Sequence, residues 1–277
     1  MALFTCTCCQ AIKGTEEFLY KDKEKGRRSR VCKGCENARR RQKAKKTKYG
    51  DRILVVSCTH FPFDQSDFLE WIYSKWKEFN CNQFIHLGDL YDVAGCNRFF
   101  RDPHMPSIDE EFDRARVQCQ RLFTLFPNAH YIVGNHCARI SRAFIESGLP
   151  ELLMPDPRQA FGIPDGWEIH KDHIEMGDKL FVHGDNKPSD ALGFAKMVGK
   201  KVVMGDKHTK LKVEHINNDY NTLWAVNVGC GISRERKAFD YTKKHISKPI
   251  VGCAVIINDT PHVFNMPLDE NGRWTGK

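Results

Sequence analysis

The chain is organised around residues 84–92, which read Phe-Ile-His-Leu-Gly-Asp-Leu-Tyr-Asp. This stretch begins as a short apolar strand, stops at Gly88 and places the carboxylate of Asp89 in the loop that follows. The carboxyl ends of strands in an α/β sheet open onto a crevice, where such folds place their chemistry. A carboxylate buried there must meet a cation or hydrogen-bond donors. The stretch therefore predicts a sheet with a polar site at its strand ends.

The same order of strand, loop and metal-capable side chain recurs four times. Carboxylate, imidazole, amide and thiolate groups are all metal ligands. Two divalent ions a few Å apart would need about seven such groups, one of them a shared carboxylate, and could generate a hydroxide nucleophile for in-line phosphoryl displacement. The four other strand ends are Ile53–Val56 with Cys58-Thr59-His60, Tyr131–Val133 with Gly134-Asn135-His136-Cys137, Leu180–Val182 with His183-Gly184-Asp185, and Val202–Met204 with Gly205-Asp206-Lys207-His208.

Length and composition predict a large core and no membrane segment. The 277 residues, 41% of them hydrophobic, suit one large domain with a small appendage. No apolar run approaches the roughly 18 residues of a membrane span, and the first residues lack the basic and apolar parts of a signal peptide. We therefore expect a soluble intracellular protein without a membrane partner.

The positive charge of the chain is concentrated near its N-terminus. Residues 1–50 hold 15 Lys and Arg against 5 Asp and Glu, whereas the remaining residues hold 28 against 30. Such asymmetry is typical of an arm that binds a polyanion, although a solvated tail would have the same composition.

Two Cys-x2-Cys pairs in this basic segment have the spacing of a structural zinc site. Each pair can present two thiolates to one tetrahedral Zn²⁺, and a segment this small cannot bury enough apolar surface to fold without a metal. Cys8 has the wrong spacing from Cys6, so the first pair is assigned through Cys9; four unrelated reduced thiols are the alternative. The predicted zinc ligands are Cys6, Cys9, Cys32 and Cys35.

Further features surround these cysteines at residues 6–13, at Glu17-Phe18, at Gly26 and at residues 32–35. With them, about the first 45 residues resemble small zinc-ribbon modules found in phage proteins and near phage endonucleases. The resemblance implies proximity to nucleic acid, in the cytoplasm of a bacterial host if the protein is phage-encoded, and it implies no reaction.

Residues 36–48 are rich in helix formers but lack an apolar stripe, which indicates a helical linker. Its basic side chains could contact phosphates of DNA or RNA without reading sequence. Residues 49–51 interrupt it, so we expect a zinc-ribbon-like module with its basic linker at 1–48 and a second domain at 51–277. The candidate nucleic-acid-binding residues are Arg39, Arg40, Arg41, Lys43, Lys45 and Lys46.

Beyond residue 52, helix-flanked strands come first and strands dominate later. The periodicity predicts helices at 68–79, 108–126, 138–147 and 189–199, a long loop at 93–107, and one continuous strand over 168–176. This order predicts an α/β fold in which two packed β-sheets are flanked by helices.

The five loops in order resemble the calcineurin-like metallophosphoesterase family over residues 52–266. That family shows Asp-x-His, Gly-Asp-x-x-Asp, Gly-Asn-His-Asp/Glu, a lone His and Gly-His-x-His, and each place is occupied here after a predicted strand. Gly88-Asp89-x-x-Asp92 and Gly134-Asn135-His136 match outright. The resemblance implies a four-layer sandwich and hydrolysis of phosphate esters.

Carried over by position, the resemblance implies two divalent metals, Mn, Fe or Zn, bridged by Asp89. His136 would lie beside the substrate as general acid or phosphate-oxygen donor, and Asp92 would share in catalysis or hydrogen-bond a ligand. The implied ligands are Cys58, His60, Asp89 and His208 for the first metal, and Asp89, Asn135, His183 and Asp206 for the second.

Three positions depart from the family pattern. Cys58 replaces an Asp and would favour Zn²⁺ or Fe over Mg²⁺, because a thiolate is softer than a carboxylate. Asp206 replaces a His and would make metal-bound water less acidic. Cys137 replaces an acid, which predicts that His136 loses the carboxylate that orients it and becomes a weaker general acid.

These features support an enzyme first: a dinuclear phosphoesterase acting on a phosphodiester or phosphomonoester and directed to DNA or RNA by the basic module. The alternatives are a catalytically impaired scaffold that binds nucleic acid or protein, and a module whose zinc organises a protein-binding surface. His86, inside a strand, is expected to be structural, as are His170, His173 and His215, which show no partner pattern in the sequence.

Overall fold

The computed structural model describes residues 3–40, 51–96, 105–154, 156–188, 190–217, 219, 222–233 and 248–276. Within these ranges the strands are β1 (Leu3–Thr5), β2 (Ile12–Gly14), β3 (Phe18–Asp22), β4 (Arg27–Cys32), β5 (Arg52–Val56), β6 (Gln83–His86), β7 (Ala129–Ile132), β8 (Trp167–His170), β9 (His173–Met176), β10 (Lys179–Val182), β11 (Lys201–Met204), β12 (Leu211–Asn217), β13 (Thr222–Val228), β14 (Gly252–Ile257) and β15 (Thr260–Asn265). The α-helices are α1 (33–40), α2 (Phe68–Glu78), α3 (Ile108–Leu125), α4 (Arg139–Glu146), α5 (Pro157–Phe161) and α6 (Ala191–Val198).

Two sheets form the body of the protein. The larger has the order β15-β14-β5-β6-β7-β8, and the smaller has the order β12-β13-β11-β10-β9. Strands β5 to β8 are parallel neighbours, as are β10, β11 and β13. Because parallel strands end at the same edge of a sheet, the loops after β5, β6, β7, β10 and β11 can converge.

The sheets bury one apolar face against each other and cover the other faces with helices. Ile85 and Leu87 of the larger sheet lie in one buried cluster with Phe181 and Val203 of the smaller sheet. Side chains of α2 and α3 pack on the outer face of the larger sheet, and α6 packs on the outer face of the smaller one. The predicted fold class, two sheets flanked by helices in four layers, is confirmed.

Helix α3 shows how the local sequence sets an element. Ser107 accepts a hydrogen bond from the Glu110 backbone N–H, while the Glu110 carboxylate accepts one from the Ser107 N–H. This capping box satisfies two backbone donors that the first turn leaves without partners. Ala115, Cys119 and Leu122 then recur at helical spacing on the buried side.

The expected single strand over 168–176 is wrong. The chain leaves the larger sheet after β8, turns at Lys171 and Asp172, and enters the smaller sheet as β9. The two short strands pair with different partners, β7 and β10. Both are four-residue strands with side chains of mixed burial, so periodicity alone cannot show that the turn between them changes sheets.

The N-terminal segment folds as two antiparallel hairpins followed by α1. Its buried centre consists of Phe18 and the cysteine side chains. The segment contacts the amino-terminal end of β7 and β8: the Arg39 Nε donates to Asn128 Oδ1 across 3.2 Å, and the Asp165 N–H donates to the Thr7 carbonyl. The division into 1–48 and 51–277 stays a prediction, because residues 41–50 lie outside the described ranges.

No helix within the described part of the chain is both long enough and apolar enough to span a membrane.

Candidate metal centre

The loops at the carboxyl edge of both sheets bring all seven predicted metal ligands together. Four of these residues hold left-handed backbone conformations, with φ of 53° at Cys58, 49° at His60, 51° at Asp89 and 56° at Asp206. Such a conformation costs about 1–3 kcal/mol at a non-glycine residue and persists where the surroundings impose it, frequently at functional sites. The repeated conformation indicates that the loops are shaped to turn these side chains toward one point.

Two glycines permit the loops to approach. A Cβ at Gly134 would lie 2.2 Å from Asp89 Oδ1, and a Cβ at Gly88 would lie 2.5 Å from His183 Nδ1. Both distances are shorter than any tolerated contact, so glycine is required at each position. Gly88, which ends the strand in the opening stretch, therefore leaves room for the His183 ring and also permits its own turn.

The ligands predicted for the second metal surround His183 Nε2. This atom lies 2.9 Å from Asn135 Oδ1, 3.2 Å from Asp89 Oδ2 and 3.9 Å from Asp206 Oδ1. The other ring nitrogen, Nδ1, donates to the Leu87 carbonyl across 2.8 Å. That bond fixes Nδ1 as a donor and turns Nε2 toward the three oxygen atoms, as in histidine ligands of metals.

The ligands predicted for the first metal also lie near Asp89, and the Cys58 ligand atom is within 4.8 Å of those of Asp89 and His183. Ligand atoms of Cys58, His60 and His208 lie within 4.8 Å of one another. His60 Nδ1 donates to Asp92 Oδ1 across 2.7 Å, which directs His60 Nε2 toward Asp89 Oδ2, 3.6 Å away. Burial lowers the pKa of His208 to about 3 with His60 acting in the same direction, so its imidazole is neutral, the form that binds metals.

Asp89 lies between the two groups and is fully buried. Its Oδ1 accepts the His136 backbone N–H across 2.8 Å, but among the described residues its Oδ2 has no hydrogen bond of acceptable geometry. Burial favours the neutral acid, yet His183 and His60 outweigh it and hold the pKa of Asp89 well below its ordinary value. A buried anionic oxygen faced by imidazole nitrogens on two sides fits a bridging metal ligand.

The charge of the site favours cations. Burial acts to lower the pKa of His183, but Asp89 overcomes it and raises the pKa to about 9. The imidazole thus takes a proton from solvent to balance the carboxylates, and a divalent ion would replace it. Burial, with Asp89 in the same direction, raises the pKa of Cys58 well above its usual value, so this thiol becomes a thiolate only beside a metal.

His136 lies at the open side of the centre, held by Asp92 and Arg139. Its Nδ1 is 2.5 Å from Asp92 Oδ1, and its Nε2 accepts from Arg139 Nη2 across 3.1 Å. Arg139 Nη1 also donates to the Asp92 carbonyl. The expectation that Cys137 deprives His136 of a carboxylate is wrong, because Asp92 supplies one.

Cys137 itself points into the core. Its Sγ accepts from the Tyr131 hydroxyl across 3.0 Å and lies 3.7 Å from the Tyr91 carbonyl, with 2% of the residue exposed. The sequence did not predict that Arg139 positions His136. From the sequence alone, this side chain could have met either substrate phosphate or solvent. His86 is buried and hydrogen-bonded to Thr59 Oγ1 and the Gly88 N–H, in agreement with a structural role.

The four predicted zinc ligands also come together. Cys6 Sγ lies 4.0 Å from Cys35 Sγ, and Cys9 Sγ lies 4.0 Å from Cys32 Sγ. A tetrahedral Zn²⁺ with bonds of about 2.3 Å separates its sulfurs by about 3.8 Å. Burial opposes ionisation of Cys6, but hydrogen bonds from the backbone N–H groups of Cys32, Cys9 and Cys8 lower the pKa of Cys6 to about 6, which favours the thiolate.

Cys8 is excluded from this cluster, as the spacing predicts. It is buried at the contact with the larger domain, where its Sγ lies 3.9 Å from the Pro127 carbonyl. Among the predicted nucleic-acid contacts, Arg39 bonds to Asn128 and Arg40 lies 3.7 Å from Glu36. The other predicted contacts, Arg41, Lys43, Lys45 and Lys46, lie outside the described residues.

A polar cavity of about 300 Å³ opens beside Asn135 and His183, two of the predicted ligands of the second metal. Three cationic side chains, those of Arg142, Lys171 and Lys187, contribute to its wall.

Comparisons with known proteins gave one family match and several distant structural neighbours. The family described as calcineurin-like phosphoesterase matches residues 51–240. Chaetomium thermophilum Vps29 is 13% identical, with 81% of this chain and 94% of that chain covered and a TM-score of 0.39. YfcE, a phosphoesterase from E. coli, is 10% identical, with 81% and 96% covered and a TM-score of 0.37. Pseudomonas putida nuclease MPE is 13% identical, with 76% and 87% covered and a TM-score of 0.31. The comparison with curated proteins gave no match.

Proposed function

The chain belongs to the calcineurin-like phosphoesterase family, and we propose that it hydrolyses a phosphodiester or phosphomonoester at a centre of two divalent metals. Mn, Fe or Zn would be held by Cys58, His60, Asp89 and His208 on one side and by Asp89, Asn135, His183 and Asp206 on the other. Such a metal pair supplies an activated water and neutralises charge on the phosphoryl oxygens.

One observation carries this proposal: the buried Oδ2 of Asp89, which lies 3.2 Å from His183 Nε2 and 3.6 Å from His60 Nε2. A buried anionic oxygen needs positive charge or donors close by. Both imidazoles are turned toward it by bonds from their other nitrogens. A metal on each side would satisfy the carboxylate and both lone pairs at once.

His136 would serve the leaving group. Its Nδ1–H bond to Asp92 leaves Nε2 as the working nitrogen, and that nitrogen receives Arg139 Nη2 in this structure. Substrate phosphate would draw the guanidinium away from the ring, so that Nε2 could take up a proton from solvent, with the imidazolium balanced by Asp92, and pass it to the departing oxygen. Arg139 would thereby bind phosphate and release His136 in the same movement.

The substrate would enter by the 300 Å³ cavity beside Asn135 and His183. Its cationic wall residues Arg142, Lys171 and Lys187 suit a phosphate ester that extends from the metals. The cavity is at the small end of the usual range for ligand sites, which favours one phosphate with a short attached group at this point.

The N-terminal module would direct the enzyme to DNA or RNA through its charge. Residues 1–50 carry 15 basic and 5 acidic residues, which favours phosphate contacts without sequence readout. The module contacts Pro127, Asn128 and Asp165, before β7 and β8, whereas the metal ligands follow the strands at the opposite edge. It would therefore tether nucleic acid to the enzyme and take no part in the chemistry.

The test is hydrolysis of bis-(p-nitrophenyl) phosphate and of p-nitrophenyl phosphate by protein loaded with Mn²⁺, Zn²⁺ or Fe²⁺, followed by DNA and RNA substrates. We expect metal-dependent turnover of at least one ester. We also expect the full chain to bind nucleic acid with a salt-dependent affinity, and this affinity to be lost when residues 1–48 are removed. If no metal supports turnover, the proposal of an enzyme is wrong, and the alternative of a catalytically impaired scaffold that binds nucleic acid or protein remains.

A further inference from the structure

A second group of metal-capable side chains lies on β7 and β8, apart from the centre described above. His130 of β7 is the register partner of Glu168 of β8, and His170 follows Glu168 by two residues on the same face. His130 Nδ1 lies 3.2 Å from His170 Nε2 and 3.4 Å from Glu168 Oε2, while His170 Nε2 lies 3.6 Å from Glu168 Oε1. The two ring nitrogens thus lie close to each other, and each faces a different oxygen of the Glu168 carboxylate.

These separations are close to the spacing of ligand atoms around a tetrahedral zinc ion. Bonds of about 2.0–2.1 Å at tetrahedral angles separate ligand atoms by about 3.3–3.4 Å. Two imidazoles and one carboxylate are also a ligand set that Zn²⁺ takes in proteins, with the fourth position open. We propose that His130, Glu168 and His170 form an additional site for a divalent cation of the zinc class.

The group is open to solvent but not loose. The side chains of His130 and His170 are 31% and 21% exposed, and that of Glu168 is 65% exposed, so an ion can enter and retain a water as fourth ligand. Short strands restrain all three backbones, which limits the entropy lost on binding. The sequence shows no partner pattern for His170 because its partner His130 lies in the neighbouring strand, 40 residues away in sequence.

The position of the group suggests what the ion would do. Within the described part of the chain, strand β8 is the edge of the larger sheet and has only β7 as a neighbour in it. An ion bound by both strands would fasten this edge, as structural zinc does where hydrogen bonding alone is marginal. Residues 133–136, which lead into the phosphoesterase centre, follow directly from the same strand β7. The site would hold the strand that carries Asn135 and His136.

A hydrogen-bonded triad without metal is the competing explanation. A neutral imidazole of His130 could bond to His170, and Glu168 could accept from either ring. Substitution cannot separate the two explanations by stability alone, because both involve the same contacts. Direct detection of the ion separates them.

The experiment compares the full-length protein with the double variant His130→Gln/His170→Gln, and with His173→Gln as a matched control on β9, outside the group. Each protein is first loaded with metal at the four-cysteine site and at the phosphoesterase centre, and is then titrated with Zn²⁺ by calorimetry. In a second experiment its crystals are soaked in Zn²⁺ for anomalous diffraction at the zinc edge. We expect wild type and His173→Gln to bind about one Zn²⁺ per chain more than the double variant, with an anomalous peak among the three side chains.

Wild type should also gain several degrees in Tm on addition of Zn²⁺, and a folded double variant should not. Equal stoichiometry in all three proteins, or a wild-type crystal without the peak, would overturn the site. If the double variant fails to fold, Glu168→Gln provides the comparison, since it removes only an exposed ligand. The outcome does not depend on hydrolysis of any ester, so it can fail while the proposed function holds.

Discussion

His136 Nδ1 lies 2.5 Å from Asp92 Oδ1, and this pair holds the predicted general acid in place although the residue after the Gly-Asn-His block is a cysteine. The same oxygen accepts from His60 Nδ1 across 2.7 Å. Burial acts to raise the pKa of Asp92, but the bonds from His136 and His60 outweigh it and keep that pKa below its ordinary value. One carboxylate therefore orients both a predicted metal ligand and the predicted acid.

Asp92→Asn should lower kcat by about 10–100-fold, because the loss of an orienting carboxylate has typically that effect on metal affinity or activity. The amide can accept from one imidazole but cannot balance the charge of a ring that takes a proton. Steady-state kinetics at saturating Mn²⁺ would measure the change, and metal titration would show whether affinity falls as well. Unchanged kcat at full metal occupancy would contradict the role of this pair.

Cys137→Ser should leave kcat within about twofold, since a hydroxyl can keep the bond from Tyr131 and the side chain points away from the centre. Cys137→Asp, which restores the acid of the family pattern, should destabilise the protein by about 1–3 kcal/mol through burial of a polar group. Denaturant unfolding and activity assays test both. A more active Cys137→Asp variant would show that the original expectation from the pattern was right.

Cys58→Asp should shift the metal preference from Zn²⁺ toward Mn²⁺ or Mg²⁺, because a carboxylate is a harder ligand than a thiolate. The ratio of kcat/KM with Mn²⁺ to kcat/KM with Zn²⁺ should rise by about tenfold or more. Tenfold is the lower end of the change in metal affinity or activity that substitutions around a metal site usually cause.

A matched control is Cys230→Ala, which removes a neighbouring buried thiol from the same apolar cluster. It should keep the wild-type ratio. A Cys58→Asp variant with unchanged metal preference would remove Cys58 from the ligand set.

Cys32→Ser should remove about one Zn²⁺ per chain, because three thiolates remain where four are needed for a closed structural site. Cys8→Ser is the matched control: Cys8 is equally buried but lies against the Pro127 carbonyl, outside the four-thiol group. Metal analysis after gel filtration would measure both. Equal loss of zinc from the two variants would mean that the ligands are assigned wrongly.

Most of the fold could be predicted from periodicity, because α2, α3 and the parallel strands each form a long or strongly apolar local pattern. The predicted metal ligands could be expected to lie together because each of them follows a strand at the carboxyl edge of a sheet. The change of sheet at Lys171 could not be predicted, since the turn is short and its flanking strands look alike. The bond between Asp92 and His136 joins residues 44 apart in sequence, and only the three-dimensional arrangement reveals it.

The group at His130 and His170 was missed for the same reason. Its only sequence signal is Glu-x-His in one short strand and a lone His in another, and neither is specific until register places them side by side.

The central claim, that Asp89 bridges two metals, is tested most directly by metal analysis of Asp89→Asn beside wild type, with hydrolysis of bis-(p-nitrophenyl) phosphate measured on the same samples. The amide should weaken both metals together while the four-cysteine zinc remains, and turnover should fall by at least about 10²-fold, the scale expected when catalytic metal charge is lost. An Asp89→Asn protein that retains both metals and wild-type turnover would contradict the account.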